Sequence, residues 1–323
     1  MMLGIKQLIY TALISFLIVV ILAPIFIPML TKFKFGQTVR DDGPKSHLAK
    51  NGTPTMGGIL MILAILITGI TRTTVGDDLR VGLICICGFG LIGFLDDFII
   101  IRKRRSLGLR AWQKIALQFG LAFYVSYYQY TSSASASQIM VPFTDLIVNI
   151  GPLYVPLMIF VIVGTVNAVN LTDGLDGLAS GVTLVVATFF MLFASYSANV
   201  NQEVAVLAAA TIGACLGFLG FNSFPAKIFM GDTGSMALGG AVSAFAVLTN
   251  SVLLIPLVGG IYFAEAISVI IQVLSFKLTG KRVFKMAPIH HHFEQCGWPE
   301  TKVVFTFWII TVVLSWFGMI AVF

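Results

Sequence analysis

The chain has 323 residues, of which 58% are apolar and 11% are charged, and its mean hydropathy is +0.96. Because soluble domains carry about 25% charged residues, this composition excludes an ordinary soluble protein and predicts a polytopic membrane protein. We expect one transmembrane domain that covers residues 1–323. The net charge of +6 follows the predicted topology, so we infer no nucleic-acid partner, and the four cysteines lack the paired spacing of a metal site.

Ten apolar segments are long enough to cross a membrane, which takes about 20 residues for roughly 30 Å of hydrocarbon. The predicted fold class is therefore an all-α polytopic membrane protein with about ten transmembrane helices. The first segment lacks a small-residue cleavage site, so we expect it to be a retained helix. The predicted helices span residues 7–30, 55–71, 81–101, 113–130, 146–168, 178–198, 203–222, 233–253, 256–276 and 303–323.

The basic residues predict the orientation of these helices. All of the 20 Lys and Arg residues except Lys6, Arg72 and Arg80 fall in or beside the loops that follow helices one, three, five, seven and nine. Loops rich in Lys and Arg stay in the cytoplasm. We therefore expect both termini to be extracytoplasmic and any active site built from these five loops to lie on the cytoplasmic face.

The first cytoplasmic loop is basic and leads into a glycine-rich helix start. It carries Lys45, His47 and Lys50, followed by Thr53-Pro54-Thr55-Met56-Gly57-Gly58. Thr and Pro suit the first positions of a helix, and paired glycines allow close approach of backbone or ligand. The cations alone indicate no more than a loop that attracts anionic membrane lipid.

Two adjacent carboxylates, Asp96 and Asp97, lie near the cytoplasmic end of the third predicted helix. This end carries the negative pole of the helix dipole, so a carboxylate there needs a cation or a basic partner. The following cluster Arg102-Lys103-Arg104-Arg105 offers one explanation, and metal or phosphate chemistry at the membrane surface offers another. Adjacent side chains on a helix point about 100° apart, so we expect the two carboxylates to have different roles.

The segment 167–177 interrupts two apolar runs with Asn170, Asp173 and Asp176. Acidic residues inside membrane segments are costly and mark functional sites. Paired acids beside amides and glycines suit a divalent cation and a phosphorylated ligand. The alternative is a polar loop with helix caps, since Asp and Gly are common capping residues.

The seventh loop ends in Gly231-Asp232-Thr233-Gly234-Ser235, directly before the eighth predicted helix. Backbone amides at a helix start can bind an anion, and Asp232 can hold a cation that bridges to that anion. Helix capping alone requires only Asp or Thr. The additional Gly, Ser and Lys227 therefore favour a ligand.

The ninth loop contains His290, His291 and His292. Three consecutive histidines on a helix cannot all face one metal, and zinc helices use i, i+4 spacing. We therefore expect these side chains to contact phosphate rather than zinc. Glu265 is a separate acid inside the ninth predicted helix, and the sequence assigns it no partner.

Five carboxylates, the histidines and many cations share one predicted membrane face. Phosphoryl transfer needs a divalent ion, donors for the phosphate oxygens and a nucleophile in line. A lipid phosphate that attacks a nucleotide-activated sugar fits carboxylates at the hydrocarbon boundary. A transporter or lipid flippase is the alternative class, but transporters place ion sites near the midplane between repeats, and no repeat is visible here.

Four motifs resemble those of the polyprenyl-phosphate sugar-1-phosphate transferases, and the resemblance extends from the first loop to the tenth helix. They are Leu95-Asp96-Asp97 and the segments 170–177, 225–235 and 287–294. Residues 52–58 and 288–294 resemble the branch that joins UDP-MurNAc-pentapeptide to undecaprenyl phosphate and releases UMP. The alternative is a sister branch that transfers GlcNAc-1-phosphate for teichoic acid or other surface polymers.

The resemblance also implies Mg²⁺ as cofactor, a homodimer and a set of site residues. Asp232, Asp97 and Asp173 would be metal ligands, and the catalytic residues would be Asp96, Asp97, Asp232 and His290. Asp96 would be a base or would orient the lipid phosphate; we favour direct attack by that phosphate over a covalent Asp96 intermediate, because the phosphate is already anionic. Ile100 stands where some relatives have Lys. The implied substrate-binding residues are Lys50, Thr55, Lys114, Asn170, Asp173, Asp176, Asn222, Phe229, His291 and His292.

Overall fold

The computed structural model describes residues 4–32, 50, 52–103, 108–132, 137–144, 146–197 and 200–323. Lys45, His47, Arg104 and Arg105 lie outside the described residues. Twelve helices account for most of the described chain. They are α1 (Ile5–Lys32), α2 (Gly58–Arg72), α3 (Asp77–Lys103), α4 (Ala111–Ser132), α5 (Tyr154–Thr172), α6 (Leu178–Tyr196), α7 (Gln202–Asn222), α8 (Gly231–Leu248), α9 (Ile255–Val258), α10 (Gly260–Thr279), α11 (Ile289–Gln295) and α12 (Glu300–Ile320).

The all-α polytopic class is confirmed. Within the described ranges, seven helices are long and apolar enough to cross a membrane: α1, α3, α5 with the 3-10 turn before it, α6, α7, α10 and α12. Helices α2, α4 and α8 occupy the three other positions where a transmembrane helix is predicted. Each of the ten predicted segments therefore contains a helix, while ten crossings and their orientation stay predictions.

The fifth predicted helix starts later than its apolar sequence indicates. Residues 147–149 form strand β2 (Ile147–Asn149), which pairs antiparallel with β1 (Gln138–Met140). A 3-10 turn over Gly151–Leu153 then leads into α5. Gly151 has a φ of +56°, which favours glycine, and Pro152 occupies an early turn position. The chain thus uses apolar residues in a hairpin where the hydropathy pattern favours a helix.

The eighth and ninth predicted helices also differ at their ends. Helix α8 ends at Leu248, five residues before the predicted end, and Asn250 turns the chain with a φ of +53°. The short α9 and Gly259 then precede α10, which starts at Gly260 and not at residue 256. An apolar run does not reveal such breaks, because turn residues between apolar neighbours change the mean hydropathy little.

Helix α8 lies at the centre of the bundle and is buried along nearly its whole length. It packs against α2, α3 and α5, and α7 packs against α1 and α6. Two glycines allow the closest approach to the first turn of α8. A Cβ on Gly58 would lie 2.2 Å from the Gly234 Cα, and a Cβ on Gly93 would lie 2.1 Å from the Asp232 carbonyl oxygen. These contacts bring α2 and α3 against the residues of the candidate site.

Candidate active site at the first turn of α8

Asp97 of α3 joins its helix to the first turn of α8. Its carboxylate accepts hydrogen bonds from the backbone amides of Asp232, at 3.2 Å, and Thr233, at 2.9 Å. The Thr233 hydroxyl donates a third, at 2.6 Å. Asp97 is buried, so these donors compensate for the loss of water around its charge. The carboxylate therefore satisfies amides that a helix start leaves without intrahelical partners.

Asp232 lies where three helices meet. One of its oxygens pairs with the Lys114 ammonium of α4, and the other accepts a hydrogen bond of 2.8 Å from the Asn170 side-chain amide of α5. Asn170 also donates to the Ser235 hydroxyl at 2.8 Å. Lys114 and Asn170 come from two different helices, and the sequence predicts both as site residues. The structure thus brings Asp97, Asp232, Lys114 and Asn170 into one cluster.

Asp96, the neighbour of Asp97 on α3, also belongs to this cluster. It is buried, and its carboxylate accepts a 2.7 Å hydrogen bond from the Leu109 amide in the segment that leads into α4. It also interacts with Asp232 and with the charge of Lys114. Asp96 and Asp97 therefore accept hydrogen bonds from different backbone amides, Asp96 from Leu109 and Asp97 from the first turn of α8, although both lie near Asp232.

Asp173, in the turn between α5 and α6, adds a further negative charge. Burial raises the pKa of the Asp173 carboxyl well above its ordinary value, and the nearby charges of Asp232, Asp97 and Asp176 raise it further. Like-charged carboxylates disfavour one another's ionised form. Lys114 pairs with Asp232 and Lys50 with Asp176, so these acids outnumber the two ammonium groups and the cluster favours an additional cation.

No group of three or more His, Cys, Asp or Glu side chains among the described residues forms a ready-made metal site. This arrangement still fits Mg²⁺, which is usually held by one or two carboxylates and completes its shell with substrate phosphate oxygens and water. Carboxylate oxygens are the donors that this hard cation prefers. The cluster thus suits a cation that binds together with a phosphorylated substrate.

A second cluster connects three distant parts of the chain. The Lys50 ammonium lies 2.7 Å from Asp176 and 2.6 Å from Glu300 at the start of α12. Glu300 also accepts a 2.7 Å hydrogen bond from the Asp176 backbone amide, and Asp176 accepts one of 2.9 Å from the Ala226 amide. Sequence reasoning missed Glu300, because an acid in the first turn of a helix is ordinary and gives no separate signal.

The predicted residues of the seventh loop have largely structural contacts. The Asn222 side chain accepts from the Gly177 amide at 3.1 Å and donates to the Ile228 carbonyl at 2.9 Å. The backbone of Phe229 is hydrogen-bonded to Pro54 and Gly57 on both sides, which holds the α2 entry beside this loop. Thr55 is buried in that contact.

The three histidines face three different partners. His290 is fully buried, and its Nδ1 lies 3.0 Å from Glu265 of α10. His291 pairs with Glu294 at 2.7 Å, and His292 accepts from the Lys285 backbone amide at 3.1 Å. His290 reaches the turn that carries Asp173: a Cβ on Gly174 would lie 2.1 Å from its Nε2. The structure also gives Glu265 the partner that the sequence did not assign.

Comparison with known proteins shows the family to which the chain is related. The family model described as glycosyl transferase family 4 matches residues 79–250, and signature 1 of the phospho-N-acetylmuramoyl-pentapeptide-transferases matches residues 50–62. A protein of that name from Clostridioides difficile is 76% identical over 323 residues, which is all of both chains. Relatives of the same name from Alkaliphilus metalliredigens and Acetivibrio thermocellus are 53% and 54% identical, covering 98% and 97% of this chain and 98% and 94% of their own.

Proposed function

Because the chain belongs to glycosyl transferase family 4 and, within it, to the phospho-N-acetylmuramoyl-pentapeptide-transferases, we propose that it catalyses the transfer that this name describes. The donor is UDP-MurNAc-pentapeptide, the acceptor is undecaprenyl phosphate, and the products are UMP and the first lipid-linked peptidoglycan precursor. The observation that carries the proposal is the convergence of Asp96, Asp97, Asp232, Lys114 and Asn170 at one end of the central helix α8.

We assign Mg²⁺ to the carboxylates of this cluster, with Asp232 and Asp173 as ligands and Asp97 beside them. Each Asp97 oxygen already accepts hydrogen bonds from α8, so Asp97 also fixes the position of Asp232. When bound, the ion neutralises phosphate oxygens and stabilises the charge that develops on the leaving UMP. The excess of negative charge around Asp173 supports this assignment.

The side chains around the metal site orient the two substrates. Lys114 can transfer its pairing from Asp232 to a phosphate oxygen, and the Asn170 amide can donate to the diphosphate. Asp96 contacts the α3–α4 segment through Leu109 and orients the lipid phosphate for direct attack. Lys50, Asp176 and Phe229 line the uridine side, with Thr55 and Asn222 holding that loop, and His290, His291 and His292 lie on the sugar or phosphate side.

The remaining parts of the proposal concern the membrane. We place this multi-pass protein in the bacterial cytoplasmic membrane, with ten transmembrane helices, extracytoplasmic termini and a cytoplasmic active site. The basic loops support this orientation. The homodimer is carried over from the family resemblance.

The test is UMP release by purified protein with undecaprenyl phosphate, Mg²⁺ and UDP-MurNAc-pentapeptide. Asp232→Asn keeps the shape of the side chain but removes the charge that faces Lys114 and the ion. We expect release to fall by at least about 100-fold, the scale seen when one electrostatic contact to a transition state is lost. The matched control is Asp77→Asn, since Asp77 is an exposed acid at the opposite end of α3.

Three other results would each contradict one part of the proposal: the substrate, the role of Asp232 or direct attack by the lipid phosphate. Release from UDP-GlcNAc but not from UDP-MurNAc-pentapeptide would assign the chain to the sister branch. Equal activity of Asp232→Asn and wild type would remove Asp232 from the site. Recovery of a phospho-aspartyl peptide from substrate-treated enzyme would overturn direct attack in favour of a covalent intermediate.

A further inference from the structure

Glu300, in the first turn of α12, connects the end of the first loop to the α5–α6 turn. Its Oε1 lies 2.6 Å from the Lys50 ammonium and accepts a 2.7 Å hydrogen bond from the Asp176 backbone amide. The Asp176 carboxylate lies 2.7 Å from the same ammonium. The side chains of Asp176 and Glu300 are only 2% and 8% exposed, so both carboxylates hold Lys50 and present little surface to a substrate.

These contacts leave one hydrogen-bond donor of Lys50 for a ligand. A lysine ammonium carries three N–H donors. Within the part of the chain that the structure describes, Asp176 and Glu300 accept hydrogen bonds from this ammonium. The Lys50 side chain keeps 14% of its surface exposed. The third donor can therefore reach a bound molecule, in a direction that the two carboxylates set.

The surroundings of Lys50 indicate which chemical group this donor meets. The ammonium is matched by two carboxylates, so the group as a whole is negative, which disfavours a phosphate oxygen and favours an uncharged acceptor such as a carbonyl oxygen. The ring of Phe224 lies 6.0 Å from the ammonium, and Phe224 is 53% exposed. Nucleobases stack on such aromatic faces. Uracil offers both a planar face and carbonyl oxygens.

We propose that Glu300 is a positioning residue for the nucleobase of the sugar nucleotide and directs the third N–H of Lys50 at a carbonyl oxygen of uracil. This inference rests on the proposed function, which places Lys50 and Asp176 on the uridine side. Glu300 supplies the second acceptor that fixes the ammonium. Its hydrogen bond to the Asp176 amide keeps the two carboxylates side by side. Glu300 thus acts through Lys50 and not on the reacting phosphate.

Loss of Glu300 should weaken binding of the nucleotide and leave the chemical step intact. In Glu300→Ala, we expect KM for UDP-MurNAc-pentapeptide and the inhibition constant of UMP to rise together by about 10- to 100-fold, the scale of effect when a partner that orients a metal-binding side chain is removed. Both kcat and KM for undecaprenyl phosphate should stay unchanged, because binding of the base does not change in the transition state.

Glu300→Gln keeps an acceptor oxygen of the same reach and loses only the charge. A hydrogen bond between an ammonium and a neutral acceptor is weaker than one to a carboxylate, so the same two constants should rise by only about 3- to 10-fold. This partial rescue by the conservative variant is expected if Glu300 orients Lys50 through its hydrogen bond.

The experiment is a double-mutant cycle of Glu300→Ala and Lys50→Met in the purified full-length protein, with UMP release as the readout. Lys50→Met keeps an apolar stem but has no donor. In this background, Glu300→Ala should change KM for UDP-MurNAc-pentapeptide and the inhibition constant of UMP by no more than about 2-fold, because the effects of residues in contact are not additive. Thermal unfolding in detergent reports whether each variant is folded, and Glu300→Gln replaces Glu300→Ala in the cycle if the alanine variant does not fold.

Glu203→Ala is the matched control for a purely structural contact. Glu203 is also an acid in the first turn of a helix, α7, and its carboxylate accepts a 2.6 Å hydrogen bond from the Leu79 backbone amide. It contacts no residue of the candidate site in these hydrogen bonds. The control should keep wild-type KM values even if its unfolding temperature falls, whereas Glu300→Ala should change KM for the nucleotide substrate.

The proposal would be overturned by equal rises of KM for both substrates, or by a fall in kcat with unchanged KM. A wild-type KM for UDP-MurNAc-pentapeptide in folded Glu300→Ala would also contradict it, as would equal effects of Glu300→Ala with and without Lys50. Absence of UMP release by the wild-type protein would instead refute the proposed function and this inference with it.

Discussion

Asp97 shows how one residue joins the stability of two helices to the geometry of the site. It lies in the last two turns of α3, where the helix dipole disfavours a carboxylate, yet its oxygens accept hydrogen bonds from the first turn of α8. The positive pole of one helix thus offsets the negative pole of the other. The same contact fixes Asp232 beside Lys114 and Asn170.

Gly174 provides a residue-scale test of the contact between His290 and the α5–α6 turn. In Gly174→Ala the new methyl would lie 2.1 Å from His290 Nε2, so the turn or the ring must move. Overpacking of this kind costs about 1–3 kcal/mol. If this strain is added to the activation free energy, UMP release should decrease by about 5- to 150-fold, because each 1.4 kcal/mol or so changes a rate by a factor of ten.

The matched control for this variant is Gly164→Ala, because nothing lies within 4 Å of a Cβ on Gly164 in α5. Ala is favoured over Gly within a helix, so this control should retain activity and unfold at the same or a higher temperature. Wild-type activity in Gly174→Ala would show that the turn does not need its close contact with His290.

At the residue scale, the sequence identifies acids that stand in an apolar context and misses those in ordinary positions. Asp96, Asp173 and Asp232 are recognisable because they border hydrocarbon. Glu300 lies in a first helical turn, where acids are common, and the partner of Glu265 lies 25 residues away on another helix. Such pairings depend on tertiary packing and leave no periodic pattern.

At the scale of the elements, α8 is a central helix whose first turn is approached by glycines from both sides. Gly58 at the start of α2 contacts Gly234, and Gly93 of α3 contacts the Asp232 carbonyl. Paired glycines at positions 57 and 58 indicate close approach, and the structure shows that the approached surface is backbone. The sequence does not reveal which helix lies opposite, since glycine carries no information about its partner.

Gly58→Ala should therefore destabilise the α2–α8 contact. Its Cβ would meet backbone atoms of Thr233 and Gly234, which cannot move aside as a flexible side chain can. We expect a loss of about 1–3 kcal/mol in stability, measured as a lower midpoint of thermal unfolding in detergent, and reduced UMP release. Gly69→Ala on the same helix is the control, because its nearest neighbours are leucine methyl groups at 3.6 Å. Equal unfolding midpoints would contradict this account.

For the whole molecule, hydropathy predicts where helices lie better than where they end. All ten predicted segments contain a helix, but the β1–β2 hairpin and the break between α8 and α10 shorten three of them. Hydropathy averages over about 20 residues, so a hairpin strand or a turn of three residues is not distinguished from helix. The side on which each loop lies depends on charge, not on packing, and needs a separate test.

The native cysteines offer that test. Cys85 and Cys215 are buried and Cys87 is half-buried, whereas Cys296, between α11 and α12, is exposed. If the basic loops face the cytoplasm, a membrane-impermeant maleimide should label Cys296 in inside-out vesicles but not in intact spheroplasts. Cys296→Ser should remove this labelling. In that background, Val148→Cys adds an exposed thiol to the β2 strand and should be labelled in spheroplasts. In the ten-helix arrangement an odd number of membrane crossings separates position 148 from position 296, so the two thiols should lie on opposite sides. Labelling of both thiols from the same side would refute the predicted orientation.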